Sequence, residues 1–599
     1  LKQPLKSAVK ASAFRRFAAI SAGFWWGARA GRAWFLTILV FSFLIGQIAS
    51  QVGMNAWTRT FFDSLEKKDV NGVWTAVAAL PLLLLALTAS LSGVMVTRML
   101  LQLRWREWLT SKIAGWWIAD QRYYRLGFVA EEQQAPEYRI ADDVRLATEP
   151  VVEFALSLTG ALLTALSFAT ILWQVAGSWR VELGGSVLEI PGYMAWAALI
   201  YAITASLMAY FVGRPLVGAV ASKNEREARF RAELTRLREN AESIALIRGD
   251  ADELGQVRLN YQKLLSAWLG VIRRQGWISL VLHSNSALFP IVPLLLIAPK
   301  YLSGALSFGA VMQVVAAFGA VQLALIWFVD RYVPLAEWFA SAHRVLQLTD
   351  ALIDIDVGTV MEDDSGIRFT ESEDGAVHLE NLSIADRAGR TMINGATAVI
   401  AQGEKVMLAG ESGAGKSTLI RAIAGLWPWG SGQIKLPSEA SIAFLPQRPY
   451  LPVGTLRQAL TYPRAELPVS DDDMAAAMRR CGLDYLVKRL DEPDIRWDQT
   501  LSGGERQRVA FCRLVLQKPQ VIIMDEATSA LDEGSQHAML SLLRDELKNS
   551  TVISVGHRTG IEEFHDRKLT LEKKPAGAQM RSKPVLAASA LSRLLQKLR

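Results

Sequence analysis

At 599 residues, with 51% hydrophobic and 21% charged side chains, the chain is too long for one compact domain and too apolar for an ordinary soluble enzyme, so two unlike regions are expected. The formal charge of +7 comes from Lys and Arg scattered over loops beside apolar segments, where charge asymmetry about a membrane accounts for them and nucleic-acid binding is not expected. The two cysteines, Cys481 and Cys512, have neither metal-ligand spacing nor a secretory context and read as buried thiols in a reducing compartment.

Lys2, Lys6, Lys10, Arg15 and Arg16 open the chain without the short apolar core and small-residue cleavage site of a removable signal peptide, and the missing initiator Met predicts a trimmed start. Residues 1–33 are expected to form a cytosolic region in which the basic, aromatic stretch 14–32 lies along the membrane face as an amphipathic elbow helix. Crossing about 30 Å of hydrocarbon takes about 20 helical residues. Within a transmembrane domain at 34–345, six stretches are long enough, at 34–53, 73–96, 151–176, 191–212, 277–299 and 305–328. Trp34, Trp57, Trp74, Trp173, Trp196, Trp277, Tyr301 and Trp327 flank them as interfacial anchors, and His283, Ser284, Asn285, Pro290 and Pro293 interrupt the fifth.

The segment before the first span and the loops at 98–145 and 214–274 are rich in Arg and Lys, which places them, and both termini, in the cytosol. In 224–248 the apolar residues Phe230, Leu234, Leu237, Ile244 and Leu246 recur on a partial helical face. The spanning helices are therefore expected to extend past the membrane, either to reach a cytosolic domain or as solvated hairpins. Residues 346–375, acidic at Glu362, Asp363, Asp364, Glu371, Glu373 and Asp374, suit a linker or edge hairpin. An α/β domain is expected at 376–572, where apolar strands alternate with charged loops. The basic tail 573–599 carries Lys573, Lys574, Arg581 and Lys583 before a short amphipathic helix at 585–599, for which surface packing, self-association and membrane docking all fit.

Gly410, Glu411, Ser412, Gly413, Ala414, Gly415, Lys416, Ser417 and Thr418 follow a strand-like run and open a helix, the context and spacing of a phosphate-binding P-loop. Its glycines let backbone N–H groups close around phosphates, Lys416 puts a point charge at the β and γ oxygens of ATP, and Ser417 offers an oxygen to Mg2+. Val521–Asp525 is a buried apolar strand ending in two carboxylates, which puts Asp525 on the metal and leaves Glu526, the candidate general base, beside the γ-phosphate. Gln447 and His557 are the other groups placed to sense the metal or line up the attacking water.

Leu501-Ser502-Gly503-Gly504-Glu505 is the signature run of ATP-binding-cassette motors. Together with the P-loop, Gln447, Asp525-Glu526, Ser529-Ala530-Leu531-Asp532 and His557, it resembles that family in order and spacing over all of 376–572. The resemblance implies an ATP hydrolase coupled to transmembrane transport, with ATP and Mg2+ as cofactors. Its fold class is an all-α, six-helix, exporter-like transmembrane domain plus an α/β P-loop nucleotide-binding domain. It also implies that Ser502, Gly503 and Gly504 act across an interface on the nucleotide held by a second copy, and that Asp532 belongs to the nucleotide site. One cassette and six spans per chain then mean a homodimer, with pairing to a different half-transporter as the alternative.

Pro446-Gln447-Arg448-Pro449-Tyr450, Val453-Gly454-Thr455-Leu456, and Ser554-Val555-Gly556-His557-Arg558 with Phe564-His565 narrow the match, as does the cytosolic run from Leu237 through Asn240 and Glu242 to Arg248-Gly249. They are similar to the branch holding peroxisomal-type fatty-acyl transporters and BacA/SbmA-like transporters fused to a cassette. One departure is the run Leu382-Ser383-Ile384-Ala385-Asp386-Arg387, which has none of the aromatics that usually stack on adenine, so stacking falls to Arg387 or an aliphatic surface.

Gln47, Gln51, Asn55, Arg59, Glu153, His283, Asn285, Gln313, Gln322 and Asp330 are the polar residues in or beside the spans; each either lines a cargo cavity or hydrogen-bonds between helices or at a span's end. The branch implies two cargo classes: peptides and other bulky hydrophilic solutes, or acyl-CoA-like lipids. Ala-rich, compact spans and no organellar targeting segment favour import of the first class across a bacterial inner membrane. Export of a lipid or drug is the alternative, and a membrane-held regulatory ATPase without cargo is the alternative of another class.

Overall fold

The computed structural model describes residues 13–27, 30–129, 136–183, 186–357, 366–437, 442–464, 466, 468–493, 495–556 and 561–584. The chain divides into two compact units, Leu1–Ile353 and Asp354–Arg599.

In the first unit, six helical stretches among the described residues are long and apolar enough to cross a membrane: Ala30–Glu66, Val70–Phe128, Pro136–Ala176, Tyr193–Glu239, Asp250–Leu302 and Phe308–Leu325. Phe35, Leu82, Leu85, Phe211 and Leu295 point outward from them, an arrangement favourable against hydrocarbon and not against water. Phe308–Leu325 is the central helix: Val314, Ala317 and Phe318 pack on Phe168, Leu172, Met194, Ala198 and Ile297. It is shorter than the predicted 305–328, because the chain turns at Ile326 and a second helix, Trp327–Val357, begins. Gly309 allows the close approach at its start, where a Cβ would lie 2.2 Å from the Arg59 carbonyl. Asp63 accepts from the Gly309 N–H at 2.9 Å and Glu66 from the Phe308 N–H at 2.9 Å, so two carboxylates of the first spanning helix cap the last one.

A helix at Ala13–Trp26 precedes the spans, as the elbow reading expects, and seats Phe17 edge-on to Trp338 at 6.2 Å and beside Trp105 at 6.5 Å. At 47 residues, or about 70 Å, the helix Tyr193–Glu239 is far longer than a bilayer core. It packs along Asp250–Leu288, with Arg236 bridging to Glu253 at 2.6 Å, and the short helix Ala241–Ile247 joins the two at their tip. Leu246 and Ile247 there are each 78% exposed, and Glu242 is exposed in the first turn. Of the residues expected to interrupt the fifth span, only Pro290 lies at a break: helix runs through His283, Ser284 and Asn285 to Leu288 and resumes as Ile291–Leu302, which contains Pro293. A hairpin of Ser178–Leu183 and Ser186–Pro191 between the third and fourth spans has no counterpart in the sequence reading.

The stretch read as a linker from residue 346 begins as helix. Trp327–Val357 continues through it because Val345, Leu348 and Leu352 recur at helical spacing and are buried, and acidic residues take over only from Asp354. Arg344 on this helix forks onto Asp143, its Nε 2.9 Å from both carboxylate oxygens and its Nη2 2.6 Å from Oδ1. Asp143 closes the single π-helical turn Arg139–Asp143 that leads into the third span, and its side chain is 1% exposed.

The second unit holds two sheets. Its main sheet runs Gln579–Pro584, Arg567–Glu572, Lys405–Gly410, Thr551–Val555, Val521–Asp525, Ile442–Leu445, and its central strands are parallel and buried, hence continuously apolar in sequence. The smaller sheet runs Ile367–Ser372, Gly430–Pro437, Val377–Ala385, Thr391–Ile400. An edge strand, Ile367–Ser372, lies inside the stretch expected to be a linker or edge hairpin, and strand structure reaches into the basic tail, where Gln579–Pro584 pairs antiparallel with Arg567–Glu572. The amphipathic helix expected at 585–599 lies outside the described residues. Cys481 and Cys512 are buried free thiols in the core around the helix Gly503–Gln517.

Removing Arg344 leaves the Asp143 carboxylate buried and unpaired, which costs about 3 kcal/mol. Arg344→Ala is expected to lower the thermal unfolding midpoint of the purified protein, and Asp143→Asn in that background to restore part of it; an unchanged midpoint in the single variant refutes the assignment.

Candidate nucleotide site and membrane cavity

The strand Lys405–Gly410 ends in the P-loop, and the helix Lys416–Ile423 starts from it with Gly415 at its N-cap. Gly410 has φ 149° and Gly415 φ 92°, and a Cβ on Gly415 would fall 3.2 Å from the Ile393 side chain, so the loop needs glycine at both ends. Lys416 is turned back on its own loop, donating to the carbonyls of Gly410 at 2.7 Å and Glu411 at 2.9 Å. Burial pushes its ammonium below the ordinary lysine range, while Glu526 and Asp525 pull the other way. The Ser417 hydroxyl donates to Asp525 at 3.4 Å; a hydroxyl and a carboxylate are hard oxygen donors of the kind Mg2+ takes alongside phosphate oxygens.

Glu526 follows the strand Val521–Asp525 with φ 48°, a strained conformation for a residue with a side chain, held by its N–H donating to the Val555 carbonyl at 3.1 Å. Gln447 donates from Nε2 to Glu526 at 3.1 Å, so two of the predicted residues meet although they are far apart in sequence. His557 lies outside the described residues. Its downstream neighbour His565 is structural: Nδ1 donates to the Ile561 carbonyl at 2.8 Å, Ser554 faces Nε2, and burial pulls its pKa down to about 4.

Ser502 caps the helix Gly503–Gln517 in a reciprocal box, accepting from the Glu505 N–H at 3.3 Å while its own N–H goes to the Glu505 carboxylate at 2.7 Å. Tyr485 also donates to Glu505, and burial together with that carboxylate pushes its phenol up to about 12. Asp532 caps the helix Glu533–Glu546, and the Ser535 backbone N–H holds its carboxyl below the usual range. A cavity of about 400 Å3 lies between the two caps, lined by Ser502, Gly503, Gly504, Asp532 and their neighbours, and no P-loop residue is in its wall. A Cβ on Gly504 would sit 3.1 Å from the Ala530 carbonyl.

Two residues of this unit escaped the sequence reading. Gln507, 1% exposed, donates to the Gln447 carbonyl at 3.1 Å and to Ser529 at 3.3 Å and accepts from the Ala530 N–H at 3.0 Å, tying the segments around Gln447, the signature helix and Asp532 together. Its signal is a polar residue on the otherwise apolar buried face of a helix. Lys573, read as tail, donates to the Ser412 carbonyl at 2.7 Å, a contact made by strand pairing and absent from any local motif. Near the turn where adenine-stacking aromatics are expected, Trp427 donates to the Ala385 carbonyl at 2.8 Å and packs edge-on to Trp429 at 5.1 Å, while Ile393 supplies aliphatic surface against the P-loop.

In the membrane unit a cavity of about 550 Å3 is lined by Gln47, Gln51, Asn55, Glu153 and, unforeseen from sequence, Arg98 and Arg331. Gln322 is instead spent between helices, donating to the Ala198 carbonyl at 2.6 Å, and Gln313 is buried with its carbonyl taking Asn55 Nδ2 at 3.0 Å. His283 and Asn285 do not line the cavity, and Arg59 pairs with Asp63 at 3.6 Å. The Asp330 side chain lies outside the described residues; Arg331, beside it in sequence, meets Glu153 at 2.6 Å.

Residues 27–302 match the family "ABC transporter transmembrane region 2" and residues 393–529 the family "ABC transporter". The chain is 30% identical over 547 residues to an uncharacterized ABC transporter ATP-binding protein, sll0182, of Synechocystis, covering 90% of this chain and 80% of that one. It is 29% identical to the inner membrane ABC transporter ATP-binding protein YddA of Escherichia coli, over 89% of this chain and 92% of the relative. It is 27% identical to the human lysosomal cobalamin transporter ABCD4, over 90% and 91%. A bacterial Atm1-family ABC exporter solved with ATP bound shares the fold, with TM-score 0.67 and 17% identity over 94% of this chain and 97% of that one.

Lys573→Ala removes a cation and a hydrogen bond from the P-loop. It is expected to raise the KM for ATP about fivefold with kcat little changed; a KM equal to that of the unaltered protein refutes a part for Lys573 at the nucleotide.

Proposed function

Because the chain belongs to the ATP-binding-cassette transporter family, as a half-transporter whose ATP hydrolysis is coupled to transport, we propose that it works as a homodimer importing peptides or other bulky hydrophilic solutes across a bacterial inner membrane. Both termini and the nucleotide-binding domain then face the cytosol. The observation that carries the dimer is the signature cavity, whose wall contains Ser502, Gly503, Gly504 and Asp532 but no P-loop residue. A γ-phosphate held by Gly410–Thr418 of one copy is therefore closed over by the serine and glycines of the other.

Within each site, P-loop N–H groups and Lys416 hold the phosphates, Lys416 leaving the carbonyls of Gly410 and Glu411 to do so. Ser417, Asp525 and Gln447 would hold Mg2+, which supplies charge neutralisation at the β and γ oxygens. Glu526 takes the proton of the attacking water, and Gln447, already bonded to it, orients that carboxylate; His557 is the further orienting group. Closure of two motors passes through the long helices ending at Ala241–Ile247 to open and close the membrane cavity in turn.

Gln47, Gln51 and Asn55 in the cavity wall favour a hydrogen-bonding cargo. A second reading, export of a lipid or drug, is favoured by Leu44, Ile48, Leu156 and Phe168 in the same wall.

Glu526→Gln is expected to keep ATP binding and motor dimerisation while hydrolysis falls at least about 100-fold; rapid turnover by this variant refutes the base. In sealed vesicles with the motors outside, labelled peptide is expected to leave the lumen with ATP, the sense of import. Accumulation inside the vesicles points to export, and ATPase activity without flux of any cargo points to a regulatory ATPase.

A further inference from the structure

Among the described residues that line the membrane cavity, the charged ones are Arg98, Glu153 and Arg331. Glu153 accepts from Arg331 Nη1 at 2.6 Å on one carboxylate oxygen and faces Arg98 Nη1 at 3.8 Å on the other. Two guanidiniums therefore share one carboxylate. A guanidinium does not give up its proton, so among the described residues that line the cavity two positive charges face one negative charge. Arg98 Nε is moreover buried without a hydrogen-bond partner. In the same wall Asn55, 4% exposed, commits its Nδ2 to the Gln313 carbonyl and leaves Oδ1 buried and unpartnered. Buried polar atoms are ordinarily paired, and in this wall the surplus positive charge of the arginines suits an acceptor with negative charge, while the unpaired Asn55 oxygen suits a donor.

We propose that the cavity binds an amphipathic solute by a carboxylate or phosphate oxyanion seated at Arg98 and Arg331, with an N–H or O–H of the same solute donating to Asn55. This rests on the reading of the chain as a carrier of peptide-like cargo and sharpens it, because the recognised feature is then a free C-terminal carboxylate beside a backbone amide. Leu156 and Phe168 supply the apolar wall for neutral side chains. A strongly cationic peptide meets the surplus charge of the arginines and is disfavoured.

Glu153 makes the idea testable without dismantling the site. Glu153→Gln keeps the shape of the side chain, removes the internal counter-charge, and leaves both arginines to an incoming anion. The probes are a fluorescent neutral tetrapeptide with a free C-terminal carboxylate, the same tetrapeptide amidated, and hexadecyl phosphate, each titrated against the full-length dimer in phosphatidylcholine nanodiscs. The acid is expected to bind about tenfold more tightly than the amide. Arg98→Gln and Arg331→Gln should each erase that ratio and Arg331→Lys restore part of it, whereas Glu153→Gln should tighten binding of the acid severalfold and leave the amide unchanged. A merely structural role for the arginines would weaken both peptides alike and leave the ratio intact, which overturns the proposal.

Equal binding of acid and amide by the unaltered protein overturns the oxyanion site while leaving peptide cargo standing. Binding of hexadecyl phosphate that depends on Arg331, with neither peptide bound, supports the oxyanion site with a phosphate source and removes the peptide reading. No binding by any of the three probes overturns the proposal.

Discussion

Hydrocarbon offers no partner for a backbone N–H or carbonyl, and the first unit is organised around that constraint. Each spanning segment closes its own hydrogen bonds as a helix, and several inward polar side chains hold backbone groups of a neighbouring helix. Asn55 takes the Gln313 carbonyl, Gln322 the Ala198 carbonyl, and Asp63 with Glu66 the first N–H groups of Phe308–Leu325. These bonds join helices that are distant in sequence, so satisfying the backbone and packing the bundle are the same act. Among the polar atoms left unpaired, the Asn55 oxygen and the Arg98 nitrogen belong to residues of the cavity wall.

The motor obeys a different constraint, the concentration of phosphate charge. Its answer is local, a loop whose glycines free the backbone N–H groups and a lysine poised on the loop's own carbonyls. Near that loop Gln507 ties together the segments bearing Gln447, Ser502 and Asp532, since its buried amide bonds to the first and last of them and its own helix carries the second. Strain at Glu526 is tolerated because the neighbouring strand and Gln447 hold it from two sides.

Identical residue types had different fates. Gln47 and Gln51 line the cavity while Gln322 is used up in packing, and the difference lies only in which side of a helix each occupies once its neighbours are in place. Lys573 looked like one more basic residue of a tail and instead touches the P-loop, because the hairpin of Arg567–Glu572 and Gln579–Pro584 carries it there. Acidic composition suits a linker or edge hairpin, yet Val345, Leu348 and Leu352 bury a helical face that carries the helix on to Val357.

What the sequence alone determined is what short-range physics determines. Span number follows from the thickness of hydrocarbon, and the P-loop, the signature and the paired carboxylates follow from chemistry that needs fixed residue types at fixed local spacing. Tertiary structure alone decided the pairings between residues far apart: Arg331 with Glu153 across 178 positions, Arg344 with Asp143 across 201, Gln507 with Gln447 across 60. No local spacing encodes such partners, because a buried charge or amide takes whichever complementary group the packing of whole helices and strands brings within hydrogen-bond reach.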